Sequence, residues 1–227
     1  MKYAILLLFV IQINFLKAQA NIGASYAPGQ ATVVNAFSVP LAIRNEKRDD
    51  VIQGHPYYEE KEKLAIVYSH ATKSSTRCLI RYNALRDQIE IFQNNAVHNM
   101  IKREDIKVEV EGEDYYYKIK EYEGDKMFFV LFNEGTNTLA LRIEKRIKLG
   151  QKAVTNYDKD IPSRYAEKKQ YYLIKKDSIF PIRLKKKDIS PLLIDPSGKL
   201  KAKISSDKLK FKKEEDLIEI IDFYNTL

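Results

Sequence analysis

Cysteine is almost missing from this chain: Cys78 is alone among 227 residues. One thiol cannot close an intramolecular disulfide, supply a pair of zinc ligands or staple a small domain covalently. No cysteine stands just past the apolar N-terminal run, so a lipid-modified leader is not expected. Tryptophan is absent, and 8 Gly and 7 Pro are too few for collagen-like or mucin-like repeats. The histidines, His55, His70 and His98, form no i,i+4 pair and enclose no Glu at short spacing. A metalloprotease helix is therefore excluded, and a zinc site built from them has no support from spacing. No Gly-x-Ser-x-Gly elbow and no glycine-rich phosphate cradle occurs. The Ser-x-x-Lys spacing of Ser205 and Lys208 lacks the Ser-Asp-Asn and Lys-Thr-Gly partners it would need. After Phe15, no apolar run approaches the ~20 residues that cross a hydrocarbon core.

What is present is a globular composition, 44% hydrophobic and 31% charged. Residues 1–18 read as an export signal. Met1 and Lys2 give a positive start, Tyr3 to Phe15 is apolar except for Gln12 and Asn14, and cleavage is expected after Ala18 or Ala20. The expectation is an exported protein, periplasmic or extracellular, with no transmembrane segment once the leader is removed. Residues 19–63 change from small and neutral to almost purely charged between Arg44 and Asp50, and read as an irregular lead-in with one possible strand at 31–39.

From Leu64 onward the pattern becomes informative. Short β-favouring runs occupy 64–68, 78–82 and 88–92. Ile106, Val108 and Val110 alternate with Lys107, Glu109 and Glu111, a period of two. Turns at 111–114, 123–125 and 133–135 separate further strands at 115–119, 127–132 and 138–148. Residues 151–169 read as a polar loop, and 171–174 with 179–184 as a last hairpin. Strands joined by such tight loops cannot be parallel. The fold class expected for 64–184 is therefore an antiparallel meander or a partly closed, barrel-like sheet.

Residues 185–227 switch to a helical period and are expected to pack two or three short helices on that sheet. One helix spans 185–194. A second is capped by Asp195 with Pro196 at its first position and carries Leu200 and Ile204. A third begins near Lys213 with Glu214, Glu215 and Asp216 in its first turn, and presents Leu217, Ile220, Ile221 and Tyr224 as one apolar stripe.

Charge is unevenly placed. Residues 19–149 hold 19 basic and 19 acidic side chains, whereas residues 175–213 hold 13 basic and 4 acidic. Such a segment can form an anion-contact surface, for which Lys185, Lys186, Lys187, Lys199 and Lys203 are the candidates. The alternative is an ordinary solvated face. Elsewhere, Cys78 reads as a small buried hydrophobe. Glu109 with Glu111, and Glu113 with Asp114, are carboxylate pairs of the kind a glycosidase uses, at a density that chance explains. Fifteen tyrosines, clustered at 57–58, 115–117 and 171–172, read as cover for a partly wetted sheet or as a stacking platform.

The leader ending in Ala18-Gln19, the segment from Leu79 to Asn83 with Asp87 to Glu90, the 171–184 hairpin followed by Lys185 to Ile189, and the closing run from Glu215 to Asn225 together resemble a group of exported proteins common in Bacteroidota. The resemblance runs from about residue 64 to the C-terminus. It implies an envelope or extracellular setting and brings no activity, cofactor or catalytic residue. The reading that follows is a non-enzymatic binding or scaffold protein, without a cofactor, whose partner is an anionic envelope component or another protein; nucleic acid is disfavoured by export. A hydrolase of a cell-envelope polymer is the alternative, and would need a hollow in which His or Cys meets a carboxylate. A structural filler would instead offer a long, unprotected strand edge.

Overall fold

The structure is a computed structural model and describes residues 37–40, 52–93, 96–155 and 157–227. The expected export signal and most of the lead-in lie outside the described residues. Among the described residues eleven strands are present: β1 Ser38–Pro40, β2 Lys63–Ser69, β3 Ser74–Asn83, β4 Gln88–Gln93, β5 Ala96–Met100, β6 Ile106–Val110, β7 Tyr116–Tyr122, β8 Asp125–Leu131, β9 Asn137–Lys148, β10 Arg164–Lys175 and β11 Ser178–Ile182. Three helices follow, α1 Lys186–Ile189, α2 Lys199–Ser206 and α3 Glu214–Asn225. The strands form one sheet in the order β1-β5-β4-β3-β2-β6-β7-β8-β9-β10-β11, and neighbouring strands run antiparallel throughout.

The meander is interrupted twice: β1 pairs with β5 rather than with β2, and β6 pairs with β2 rather than with β5. Four strand spacings separate β5 from β6 along the sheet, roughly 19 Å if it were flat. The link between Met100 and Ile106 would reach only about 20 Å fully extended, and it contains a turn in which Arg103 N–H donates to the Ile101 carbonyl. The sheet must therefore curl, and its concave face holds the main core: Val67, Ile80, Ile89, Ile91, Ile106, Val108, Ile119, Phe128 and Ile143. The alternation read in 106–110 is the inward half of that face, with Ile106, Val108 and Val110 buried.

Curling does not go on to closure. β8 pairs with β9 only at Val130–Leu141 and Leu131–Ala140, whereas β9 and β10 pair along their whole length. The long β9–β10 ribbon swings across the curled strands, where Lys145 N–H donates to the Ala84 carbonyl at 3.0 Å and the Tyr82 hydroxyl reaches the Ile143 carbonyl at 3.4 Å. Gly150 sits at the ribbon's loop because a Cβ there would lie 2.1 Å from the Ile161 carbonyl oxygen. Leu139, Leu173 and Ile182 form the floor on which Ile189, Leu193, Leu200, Leu217, Ile220 and Ile221 pack.

The antiparallel sheet with a helical C-terminus is as expected, and local corrections are instructive. Residues 164–169 are strand, not loop: this stretch is polar on both faces and takes its conformation from the ladder to β9. β3 begins at Ser74, four residues ahead of the run read at 78–82. β5 was not anticipated, and is held by β4 and β1. The first helix is four residues rather than ten, and the second begins at Lys199 with Gly198 as its N-cap. Asp195 still serves that helix from upstream, its carboxylate accepting Leu200 N–H at 2.7 Å.

Candidate functional site

The lysine-rich segment folds over the β9–β11 end of the sheet. α2 turns Leu200 and Ile204 toward the core and leaves Lys199 and Lys201 in solvent. Leu193 approaches from the loop after α1, and Phe211 from the link between α2 and α3. These apolar side chains floor a groove of about 280 Å³, with Lys186, Lys201, Ser190, Ser205 and Asp195 around it. The Asp195 carboxylate is occupied by Ser197 and by the N–H groups of Ser197 and Leu200, which hold its pKa below the ordinary carboxylate range. It forms no ion pair within 4.0 Å with either lysine.

The five candidate lysines separate in the fold. Lys186 lines the groove. Lys185, Lys187 and Lys199 are exposed beside it. Lys203 is drawn into ion pairs with Asp207 and, at 2.7 Å, with Glu219 of α3, and these partners raise its pKa. It acts as a brace between helices, because an i,i+4 acid and an acid on the next helix meet it. Among the described residues, Lys185, Lys186, Lys187, Lys199 and Lys201 have no carboxylate within 4.0 Å.

A second hollow of about 430 Å³ lies on the other side of the 190–198 loop, with Lys175, Lys176, Phe180, Leu192 and Tyr224 in its lining. Neither Ile194 nor the two lysines of this hollow were singled out from the sequence. The signal was there: Leu192, Leu193 and Ile194 stand between Pro191 and Pro196, a triplet too short for any period to bury on one side.

The tyrosine clusters turn inward. Tyr117 and Tyr172 are buried, while Tyr115, Tyr116 and Tyr171 are half-buried and tied by their hydroxyls to Glu59, the Asn133 carbonyl and Glu214. They cover the sheet and present no exposed stacking row. Around them lies a cleft of about 380 Å³ containing Glu109, Glu111, Glu113, Asp114 and Glu134. Arg77 takes Glu111 with two hydrogen bonds, Lys63 takes Glu113, and Lys107 takes Glu109 and Glu134. Arg77 and Lys107 hold the Glu111 and Glu134 carboxyls below their usual range. A glycosidase acid needs the opposite shift.

Burial pushes the Cys78 thiol up to about 12, so it is the inert hydrophobe the sequence suggested. Ser205 and Ser206 donate back to the helix carbonyls of Lys201 and Lys203. Among the described residues no group of His, Cys, Asp and Glu could hold a metal ion, and no His or Cys hydrogen-bonds a carboxylate. Nor is any described helix long and apolar enough to cross a membrane. Comparison with known proteins returned no matching family model, no curated relative and no similar solved structure.

Proposed function

We propose that this is an exported, non-enzymatic binding protein, in which the curled sheet is the scaffold and the helical C-terminal segment is the surface that holds an anionic partner. The observation that carries the reading is the groove between α1 and α2, where Lys186 and Lys201 flank an apolar floor and neither has an acidic neighbour within 4.0 Å among the described residues. Lysines kept free of internal partners retain their full attraction for an outside charge. Export rests on the leader pattern of residues 1–18.

The test is retention on an acidic polysaccharide matrix at low and at physiological salt. Retention at low salt should fall steeply toward 0.15 M, where the Debye length is about 8 Å. Lys185→Glu/Lys186→Glu/Lys187→Glu should abolish it. Equal retention of wild type and variant would return these lysines to the role of a solvated face.

A further inference from the structure

The loop between α1 and α2 forms a crest between the two hollows. Leu193 turns into one and Leu192 into the other, while Ile194 lines neither and is 69% exposed. Its shape is braced: Pro191 and Pro196 fix the backbone at both ends, Tyr224 Oη donates to the Ile194 carbonyl at 3.3 Å, and Lys175 Nζ donates to the Leu192 carbonyl at 2.7 Å. Exposed lysines stand on both flanks, Lys186 and Lys201 on one and Lys176 on the other, with Lys185, Lys187 and Lys199 exposed nearby. Asp195, beside the crest residue, has its carboxylate turned into the N-terminus of α2.

We infer that this crest seats on an anionic lipid bilayer, with Ile194 entering the boundary between headgroups and acyl chains and the flanking lysines meeting lipid phosphates. The inference rests on the reading that the helical segment binds anions, and it names the partner. Three features select a bilayer. The exposed apolar side chain stands on a convex ridge, whereas a bound peptide or small ligand would be anchored in a hollow. Cations occur on both flanks, so a broad charged plane engages them together where a small anion would touch one side. The cations are lysines, which act as point charges and lack the guanidinium fork that selects one fixed planar group. Lysines near an anionic leaflet combined with a shallow apolar insertion are the elements of peripheral membrane attachment.

The absence of tryptophan makes the crest directly observable. Ile194→Trp places a single indole on it, and Tyr157→Trp, at a residue 99% exposed in the 151–163 loop, is the reference. Vesicles of phosphatidylglycerol with phosphatidylcholine should shift the Ile194→Trp emission to the blue and shield it from acrylamide. Phosphatidylcholine alone should do neither, and the Tyr157→Trp emission should not move. Adding Lys186→Glu and Lys201→Glu should raise the lipid needed for half the shift by about tenfold or more. Phe180→Trp, on the adjoining hollow, gives a second reporter should the crest variant fold poorly. No shift of either reporter with anionic vesicles overturns the inference. Retention on acidic polysaccharide without a vesicle shift leaves the anion-binding reading standing and removes the bilayer. A shift produced by polyglutamate and not by vesicles assigns the face to an acidic polypeptide.

Discussion

Cations in the sheet and cations in the helical segment have different fates. On the sheet, Lys63 meets Glu59 and Glu113, Arg77 meets Glu111, Arg81 meets Glu62 and Glu90, Lys102 meets Asp87, and Lys107 meets Glu109 and Glu134. Register sets one of these pairs, Arg81 opposite Glu90, and most of the others join a strand residue to an acid in an adjoining turn or loop. Between residues 185 and 213 the only acids are Asp188, Asp195 and Asp207. Arg183 takes Asp188, the N-terminus of α2 takes Asp195, and Lys203 takes Asp207. Among the described residues Lys185, Lys186, Lys187, Lys199 and Lys201 form no ion pair within 4.0 Å, although Asp188 and Asp195 act on Lys187 and Lys199 at longer range. Many sheet cations are tied into ion pairs while others, such as Lys61, Lys73 and Lys126, stand exposed and apart, whereas in the helical segment the exposed lysines are crowded into one stretch.

If the helical segment were a loosely attached tail, that contrast would mean little, and the largest expected effect tests this. Ile221 is fully buried with Leu217 and Ile220 against Leu139 and Leu173. Ile221→Ala should cost about 2–5 kcal/mol, read by denaturant unfolding as one cooperative transition of sheet and helices. A loss below about 0.5 kcal/mol, the size of an ordinary surface change, would mean that α3 is a free appendage.

A second attachment is polar. Asn225 at the end of α3 accepts from Asn137 N–H and from the Asn137 side chain, each at 2.9 Å, and donates to the Asn137 carbonyl at 2.7 Å. Gly135, at φ +124°, leaves room for it: a Cβ there would lie 2.6 Å from the Asn225 amide nitrogen. Asn225→Ala, which leaves the Asn137 N–H without its partner while the Asn137 carbonyl keeps the Asn133 amide, should cost about 1–3 kcal/mol. Gly135→Ala should destabilise as well, and unchanged denaturation midpoints for both would remove the clamp from the account.

Acid tests one ion pair of the sheet region. Arg103 and then Ser69 hold the Asp105 carboxyl down to about 2. A carboxyl whose folded pKa lies below the unfolded value of about 3.9 stabilises above that value and loses its contribution as pH falls through the folded one. Stability of the wild type should therefore decline between about pH 4 and pH 2, and Asp105→Asn should be flatter across that window. Identical acid profiles would show that this sheet ion pair is idle. The smallest effect concerns Cys78, which should stay unreactive toward a thiol reagent at pH 8 in the native protein and react once the sheet unfolds.

Legibility follows the range of the forces involved. β6 was readable because one face of it is buried, which writes a period of two into Ile106, Val108 and Val110. The α3 stripe was readable for the matching helical reason. β5 was not: Val97, His98 and Asn99 carry no alternation, and their conformation comes from pairing with β4. The first half of β10 is the same case, polar on both faces and set by its partner. In the site, the free lysines were visible as a run, but their sorting was not. Lys203 leaves the set because Glu219 lies on another helix, and the groove floor joins Leu193, Leu200 and Phe211 from three separate stretches.

The central claim is that position, and not net charge, makes the helical segment the binding surface. Two triple variants of equal charge change decide it: Lys185→Glu/Lys186→Glu/Lys187→Glu in the helical segment, and Lys61→Glu/Lys73→Glu/Lys126→Glu at exposed positions of the sheet region. The salt concentration that elutes each from an acidic polysaccharide matrix is the measurement. The account predicts that the helical triple elutes at low salt while the sheet triple elutes close to the wild type. Equal losses for the two would show that retention tracks total charge, and would contradict it.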